Sequence, residues 1–189
     1  MRLIPSLLIV LCGVFALPTI AQVSTNAPAT EIENFELQTD VVMVKGFGDI
    51  GSVSTEGGIL SVRCKESNNL ASNSKLYGIA VGINFEQSHG YLVVDYDEMD
   101  SLIRALDFLG KISYNVTPMQ GFDASFTTRS GLRIGAHTER RQSGIQLFVQ
   151  FDDTTKIPLT ADQYTQLQNL IYQAKTSLDA IKSKESSSP

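Results

Sequence analysis

The sequence predicts an α+β protein in which two antiparallel units of four strands and one helix, a pseudo-duplicated ββββα arrangement, pack around one core. A strand, a polar helix start and an amphipathic helix follow one another from Tyr91 to Leu109, and the same layout returns from Lys156 to Ala174. Alternating apolar residues predict further strands ahead of each copy. We therefore place the first unit at about 41–110 and the second at about 121–181.

Both helix starts carry a pair of residues typical of a capping box. Asp95 stands three positions before Glu98, and Thr160 stands three positions before Gln163. In such a box the first side chain accepts from a backbone N–H of the first turn, and the Glu or Gln side chain accepts from the N–H of the cap residue itself. Apolar residues then recur at helical spacing, which predicts one buried face per helix. These residues are Met99, Leu102, Ile103, Leu106 and Leu109, and then Tyr164, Leu167, Leu170, Ile171, Ala174, Leu178 and Ile181.

Residues of alternating character define the strands of both units. In the first unit we predict strands at 41–45, 59–65, 76–85 and 91–94. Polar residues predict a surface loop at 66–75, and 31–39 fits either a short helix or a strand. The small residues Gly78, Ala80 and Gly82 share one strand face, which favours close approach by another layer. In the second unit, strands at 122–128 and 132–136 flank a turn at 129–131, and a third strand covers 145–151.

The N-terminus has the pattern of an export signal. Arg2 precedes an apolar run from Leu3 to Leu17, and small residues predict cleavage after Ala21. A retained N-terminal anchor is the alternative. We expect residues 22–30 to form a flexible leader, 31–181 a single domain, and 182–189 a disordered tail. The mature chain would be periplasmic or extracellular, with no transmembrane segment and with Cys64 as its one cysteine, most simply a small core residue.

The run from Gly46 to Gly51 matches the spacing of a dinucleotide-binding glycine loop. That mechanism requires a helix directly after the loop, whose N-terminus holds the pyrophosphate. The residues that follow favour a turn and another strand, so glycines at a strand end or bulge explain the run better. The sequence thus predicts no cofactor.

Acidic residues cluster at the start of the first helix: Asp95, Asp97, Glu98 and Asp100. A calcium loop would need a glycine at its sixth position and a glutamate at its twelfth, and neither is present. Acids in a first helical turn interact favourably with the helix dipole, and we prefer this interpretation. A hydrolase that used Asp97, Glu98 or His137 is the enzymatic alternative, but no catalytic or metal-binding motif supports it.

Basic residues gather in the second unit near the predicted strand ends. With a formal net charge of −5 for the whole chain, this is the one basic patch, and its alternative interpretation is a solvated sheet rim. We predict that it contacts a partner through Arg129, Arg133, His137, Arg140 and Arg141.

Two resemblances accompany these patterns. The repeated strand and helix start, as in Lys156–Gln163, resembles the ββββα units of Whirly and positive-cofactor single-stranded DNA binders. The segment Val94–Glu98 with its following apolar stripe is similar to uncharacterised exported bacterial proteins. The first resemblance implies nucleic-acid binding, but an acidic, exported chain without tryptophan and with few outward aromatic residues argues against it.

The sequence therefore predicts a non-catalytic exported domain that binds an unknown macromolecule or envelope component. The alternatives are a polyanion or single-stranded nucleic-acid binder that uses the rim from Arg129 to Arg141, and an enzyme with an unrecognised site. The rival fold is a PH-like barrel of seven strands and a closing helix, which explains the helix after Asp95 less well. The oligomeric state and the ligand stay open.

Overall fold

A computed structural model describes residues 29–56, 58–85, 88–138 and 144–187. The first sheet has the order β1-β2-β3-β4 and the second has the order β5-β6-β7-β8, with every neighbouring pair antiparallel. The first sheet contains β1 (Met43–Thr55), β2 (Gly58–Asn69), β3 (Ser74–Phe85) and β4 (Ser88–Asp95). The second contains β5 (Phe122–Thr127), β6 (Arg133–Thr138), β7 (Gln146–Gln150) and β8 (Lys156–Leu159).

A helix follows each sheet, which confirms the predicted α+β fold with two four-strand-plus-helix units. Helix α1 (Glu31–Glu36) precedes β1, helix α2 (Met99–Gly110) follows β4 through a 3-10 turn, and helix α3 (Ala161–Ser186) follows β8. The PH-like barrel is wrong, since the described strands form two separate sheets.

The two helix starts differ, although their sequences are alike. At α3 the predicted capping box is present, because Gln163 N donates to Thr160 Oγ1 at 3.2 Å and Thr160 N donates to Gln163 Oε1 at 2.9 Å. The box predicted at Asp95 and Glu98 is wrong, since the Asp95 side chain caps no N–H of its own helix. Its carboxylate instead accepts hydrogen bonds from the first N–H groups of α1.

Each unit's helix packs mainly against the other unit's sheet. Helix α3 lies on β1 and β2, while α2 lies against β5 and β6. Gly51 of β1 permits the approach of α3, because a side chain there would come within 2.7 Å of Leu170 Cδ2. The helices also join each other through Tyr164, whose hydroxyl donates to Leu106 O at 2.8 Å. The two units therefore share one buried cluster, to which both sheets contribute.

The buried residues agree with most of the predicted faces. Leu60, Val62 and Cys64 of β2 point into the core, and the helix stripes are buried except at their margins. Ile181 is an exception, since 39% of it is exposed near the end of α3. Burial raises the pKa of the Cys64 thiol, whose sulfur lies 3.6 Å from Ala174 O. Cys64 is thus a small residue at the interface between β2 and α3.

Helix α1 covers part of the outer face of the first sheet, the face turned away from the core. Ile32 is buried over Gly78, where an added side chain would come within 2.7 Å of Ile32 Cδ1. The segment that fitted either a helix or a strand is thus a helix, and the close approach predicted at the small residues of β3 is made here by α1.

One prediction about the first unit requires correction, and one is confirmed. The loop predicted at 66–75 is largely strand, because β2 runs to Asn69 and pairs with β3 down to Ser74. Its polar outer residues have partners: Ser67 donates to Glu36, and Asn69 Nδ2 donates to Gln38 Oε1 at 2.6 Å. The glycine run of Gly46 to Gly51 lies within β1, with a register shift between Asp49 and Gly51, as predicted for a bulge.

The predicted signal and most of the predicted leader lie outside the described residues. Among the helices of the described part of the chain, none is both long enough and apolar enough to cross a membrane.

Candidate functional site

Arg129 occupies the turn between β5 and β6, where it meets acidic residues from the other unit. Gly131 has a φ of +90°, which permits the tight turn, and Thr128 N bonds to Leu132 O at 2.9 Å. The guanidinium lies 3.6 Å from Glu31, 3.5 Å from Asp95 and 3.2 Å from Glu98, and it also contacts Asp97.

Through these contacts Arg129 links the second unit to the first. Its backbone N–H donates to Glu98 Oε1 at 2.8 Å, so the whole turn is held against the segment after β4. Asp95 is 2% exposed, and burial raises its pKa although the N–H groups of Glu31 and Ile32 and the charge of Arg129 oppose that shift. Three of the four acids predicted at the helix start, Asp95, Asp97 and Glu98, thus converge on Arg129, whereas Asp100 lies 3.7 Å from Lys175 Nζ. Within the described residues, no group of three or more metal-ligating side chains is arranged to hold an ion.

Arg133 and His137 lie together on the outer face of the second sheet. Both belong to β6 and flank Gly135, and the neighbouring Phe148 of β7 lies across that glycine. An added side chain at Gly135 would come within 2.5 Å of Phe148 Cζ, so the glycine is required for the ring to lie flat. Phe148 has no exposed surface, although it points away from the core.

Basic groups cover the Phe148 ring. Lys156 Nζ lies 3.9 Å from the ring centroid, and the Arg133 guanidinium carbon lies 5.5 Å from it. The His137 ring meets Phe148 edge-on at 5.6 Å between centroids, and its Nδ1 lies 3.5 Å from Lys156 Nζ. Cation–π attraction holds the two cations over the ring. We call Arg133, His137, Phe148 and Lys156 the basic face.

Polar neighbours fix the guanidinium of Arg133 in place. Its Nη2 lies 2.9 Å from Asp123 Oδ1, its Nε donates to Ser125 Oγ at 2.9 Å, and its Nη1 donates to Gln150 Oε1 at 3.4 Å. Within the described part of the chain, one carboxylate therefore balances Arg133, whereas Lys156 contacts the Phe148 ring and the His137 imidazole. This arrangement places positive charge on the outer face of the second sheet.

The structure thus separates the residues predicted as a contact rim. Arg133 and His137 come together, Arg129 is tied to four carboxylates at the turn, and Arg140 and Arg141 lie outside the described residues. Sequence analysis missed Phe148 and Lys156. Strand alternation could have placed both on the outer face with Arg133, because Phe148 pairs with Gly135 and Lys156 pairs with Gln150.

The residues of the enzymatic alternative do not form one constellation. Asp97 and Glu98 contact Arg129 at the turn before β6, whereas His137 lies near the other end of β6 beside Lys156. A cleft of about 150 Å³ does include Asp95 and Asp97, with Lys75, Tyr77 and Lys182 on its other walls. Lys182 Nζ there lies 3.8 Å from the Tyr96 ring centroid, which makes the cleft a contact between α3 and the first unit.

Comparison of the chain with models of protein families, with curated proteins and with solved structures gives no match. The two resemblances drawn from the sequence therefore stay predictions.

Proposed function

We propose that this protein is an exported, non-catalytic binding module that contacts an anionic macromolecule or envelope component through the basic face. The observation that supports the proposal is the convergence of Arg133, His137 and Lys156 over one buried ring. Cations that are already positioned lose little side-chain entropy when a partner binds.

The export part of the proposal rests on the N-terminal pattern. Arg2, the apolar run and the small residues before Gln22 are typical of a cleaved signal. Expression of the full chain in a bacterium, followed by mass analysis of the periplasmic and medium fractions, tests it. We expect a mature protein that begins at Gln22. A full-length product retained in the cytoplasm would contradict export.

Binding is tested with three anionic probes: inorganic polyphosphate, phosphatidylglycerol vesicles and single-stranded oligothymidylate. We expect at least one probe to bind, with an affinity that falls as salt rises, because screening weakens contacts between exposed charges. The double variant Arg133→Glu and Lys156→Glu should weaken binding by about tenfold or more, since each reversal removes an attraction and adds a repulsion.

The matched control is Lys111→Glu together with Arg104→Glu, which makes the same charge change at two exposed residues, one on α2 and one directly after it. This control separates the effect of position from that of net charge. Equal weakening by both double variants would contradict a specific basic face. Absence of binding to all three probes at low salt would contradict the anionic partner, and binding to oligothymidylate alone would favour the nucleic-acid alternative.

A further inference from the structure

The outer face of the first sheet carries two partly exposed aromatic residues next to α1. Phe47 lies on β1 and Tyr91 on β4, the two edges of the sheet, and they are 39% and 48% exposed. Three strand spacings separate these edges, which is about 14 Å. The ring centroids nevertheless lie 6.1 Å apart, so both side chains lean inward across the sheet.

Small residues of β3 make this inward lean possible. Ala80 is buried on the outer face, and Gly82 pairs directly with Tyr91. Ser61 Oγ already lies 2.6 Å from where a side chain at Gly82 would begin. The sequence pattern predicted close approach at these residues. At Gly82 the nearest atom of an aromatic residue to such a side chain is Tyr91 Cβ at 3.8 Å, whereas α1 covers Gly78.

The two rings form a corner rather than a stack. Their planes are inclined by 73°, and Lys65 holds them from below with its Nζ 5.8 Å from the Phe47 centroid and 5.5 Å from the Tyr91 centroid. Lys65 is itself 1% exposed and paired with Glu36 at 2.8 Å. The corner is therefore built on a buried ion pair, which fixes its geometry before any ligand arrives.

Beside this corner lies a balanced pair of exposed charges. The Arg63 guanidinium carbon stacks 4.6 Å from the Phe47 centroid, and its Nε lies 2.8 Å from Asp49 Oδ1. The Asp49 side chain is 84% exposed and that of Arg63 is 41% exposed. A polyanion would gain little from Arg63 and would be repelled by Asp49. A neutral ligand with hydroxyl groups can donate to Asp49 and accept from Arg63.

From this geometry we infer that Phe47, Tyr91, Arg63 and Asp49 form a binding site for a neutral saccharide ring. The faces of aromatic rings carry partial negative charge and attract the C–H groups on the apolar face of a pyranose. The hydroxyls at its edge meet the Arg63–Asp49 pair. An apolar platform with a few placed polar groups is the usual composition of a small-ligand site. This site is separate from the basic face and does not depend on the proposed function.

The test uses maltohexaose, cellohexaose and chitohexaose as probes, with binding followed by calorimetry and by amide chemical shifts. We expect at least one to bind and to shift the amides of β1 and β4. Phe47→Ala and Tyr91→Ala should each weaken that binding by about tenfold. Asp49→Asn should weaken it less. If either alanine variant fails to fold, Phe47→Leu or Tyr91→Leu keeps apolar volume but removes the ring.

The matched control is Phe108→Ala, which removes a phenylalanine that is 60% exposed on α2. This variant should bind saccharide as the unchanged protein does, and so should the double variant Arg133→Glu and Lys156→Glu. Failure of all three oligosaccharides to bind would overturn the inference. Saccharide binding that survives the loss of either ring would also overturn it. Binding of oligothymidylate in place of saccharide, if it depends on the rings, would overturn it too, because the rings would then stack on bases.

Discussion

The carboxylate of Asp95 joins three segments that are distant in the sequence. It accepts hydrogen bonds from Glu31 N at 2.7 Å and from Ile32 N at 3.1 Å, and it faces the Arg129 guanidinium at 3.5 Å. A helix start attracts negative charge because its first N–H groups have no partner within the helix. Asp95 therefore attaches α1 to β4 and to the turn between β5 and β6.

We expect Asp95→Ala to lower the free energy of unfolding by about 2 kcal/mol, since it leaves buried N–H groups and part of the Arg129 charge without a partner. Asp95→Asn should cost less, because its amide oxygen can still accept and because burial disfavours the ionised acid, as the raised pKa of Asp95 indicates. Urea unfolding followed by circular dichroism measures both. An alanine variant as stable as the unchanged protein would contradict this account.

Glu36 is a second carboxylate that connects α1 to the first sheet, and its side chain is 10% exposed. It lies 2.6 Å from Lys45 Nζ and 2.8 Å from Lys65 Nζ, and it accepts from Ser67. Burial by itself raises the pKa of Glu36, but the hydrogen bonds from Lys45, Lys65 and Ser67 outweigh it, so the pKa lies below its usual value. Glu36 is thus more acidic in the folded chain than in the unfolded chain.

The sign of the pH dependence follows from that lowered pKa. The stabilisation by Glu36 is complete above the ordinary glutamate pKa and is lost as the pH falls through the lowered one. Glu36→Gln should destabilise the protein at neutral pH by about 3 kcal/mol, because Lys65 stays buried without an opposite charge.

Urea unfolding over a pH series tests this expectation. The stability of Glu36→Gln should change less with pH over the acidic range than that of the unchanged protein, while Glu56→Gln, at an exposed carboxyl, serves as control. Parallel pH profiles for Glu36→Gln and the unchanged protein would show that Glu36 makes no such contribution.

At the scale of the element, α1 depends on a glycine in the strand beneath it. A side chain at Gly78 would collide with the carbonyl oxygen of Val94 and with Ile32 Cδ1, whereas Gly90 on the adjacent strand has open space beside it. The backbone carbonyl belongs to β4 and cannot rotate away. Close packing therefore makes this position sensitive to even one methyl group.

We expect Gly78→Ala to destabilise the protein by about 2 kcal/mol through displacement of α1 and β4. Gly90→Ala makes the same chemical change where nothing lies within 4 Å, so it should be close to neutral. Thermal and urea unfolding compare the two variants. Equal stability of both would mean that α1 does not pack against β3 as closely as described.

At the scale of the whole molecule, the packing of each unit's helix on the other unit's sheet determines how the chain folds. Helix α3 lies on the first sheet, where Gln163 Nε2 donates to Ser54 O at 2.9 Å and Lys75 Nζ pairs with Glu185 at 2.5 Å. Helix α2 lies against the second sheet. Each sheet therefore depends on the other unit's helix for the cover of its apolar face.

We expect neither 29–116 nor 117–187 to fold alone, because each fragment would expose the sheet face that its partner's helix covers. Circular dichroism and the dispersion of amide signals in NMR spectra of each fragment test this. An equimolar mixture of the two fragments is the control that shows whether the fragments are still able to fold when both are present. The intact chain should unfold in one cooperative transition. Cooperative unfolding of either isolated fragment would contradict the interlocked arrangement.

Much of the fold could be predicted because periodicity records burial. Alternation placed Leu60, Val62 and Cys64 on an inner face, and helical spacing placed Leu102 and Leu106 in the core. The Thr160–Gln163 box was predictable since both of its partners lie within one turn. Asp95 carries the same local signal, but its partners lie more than sixty residues away in α1, and no local pattern distinguishes the two cases.

The candidate site could be predicted only in part. The arginines and His137 stood out as a basic patch, yet strand pairing brings Lys156 and Phe148 next to Arg133, and packing between the two units brings Arg129 to the acids after β4. Outer-face aromatic residues were missed in the same way, since Phe47 and Tyr91 belong to the two edges of one sheet. Proximity across strands depends on register, which adjacent residues do not encode.

The local patterns of this chain were sufficient to identify the duplicated order of strands and helices and the face that each one buries. They were not sufficient to show which sheet each helix covers, that α1 covers part of an outer face, or which charges pair. An apolar period of two or of 3.6 residues shows that one face of a strand or helix is buried, but it does not show which other element packs against that face. Packing between segments that are distant in the sequence decides which elements meet. This packing places the basic face on one unit and the aromatic corner on the other unit of one core.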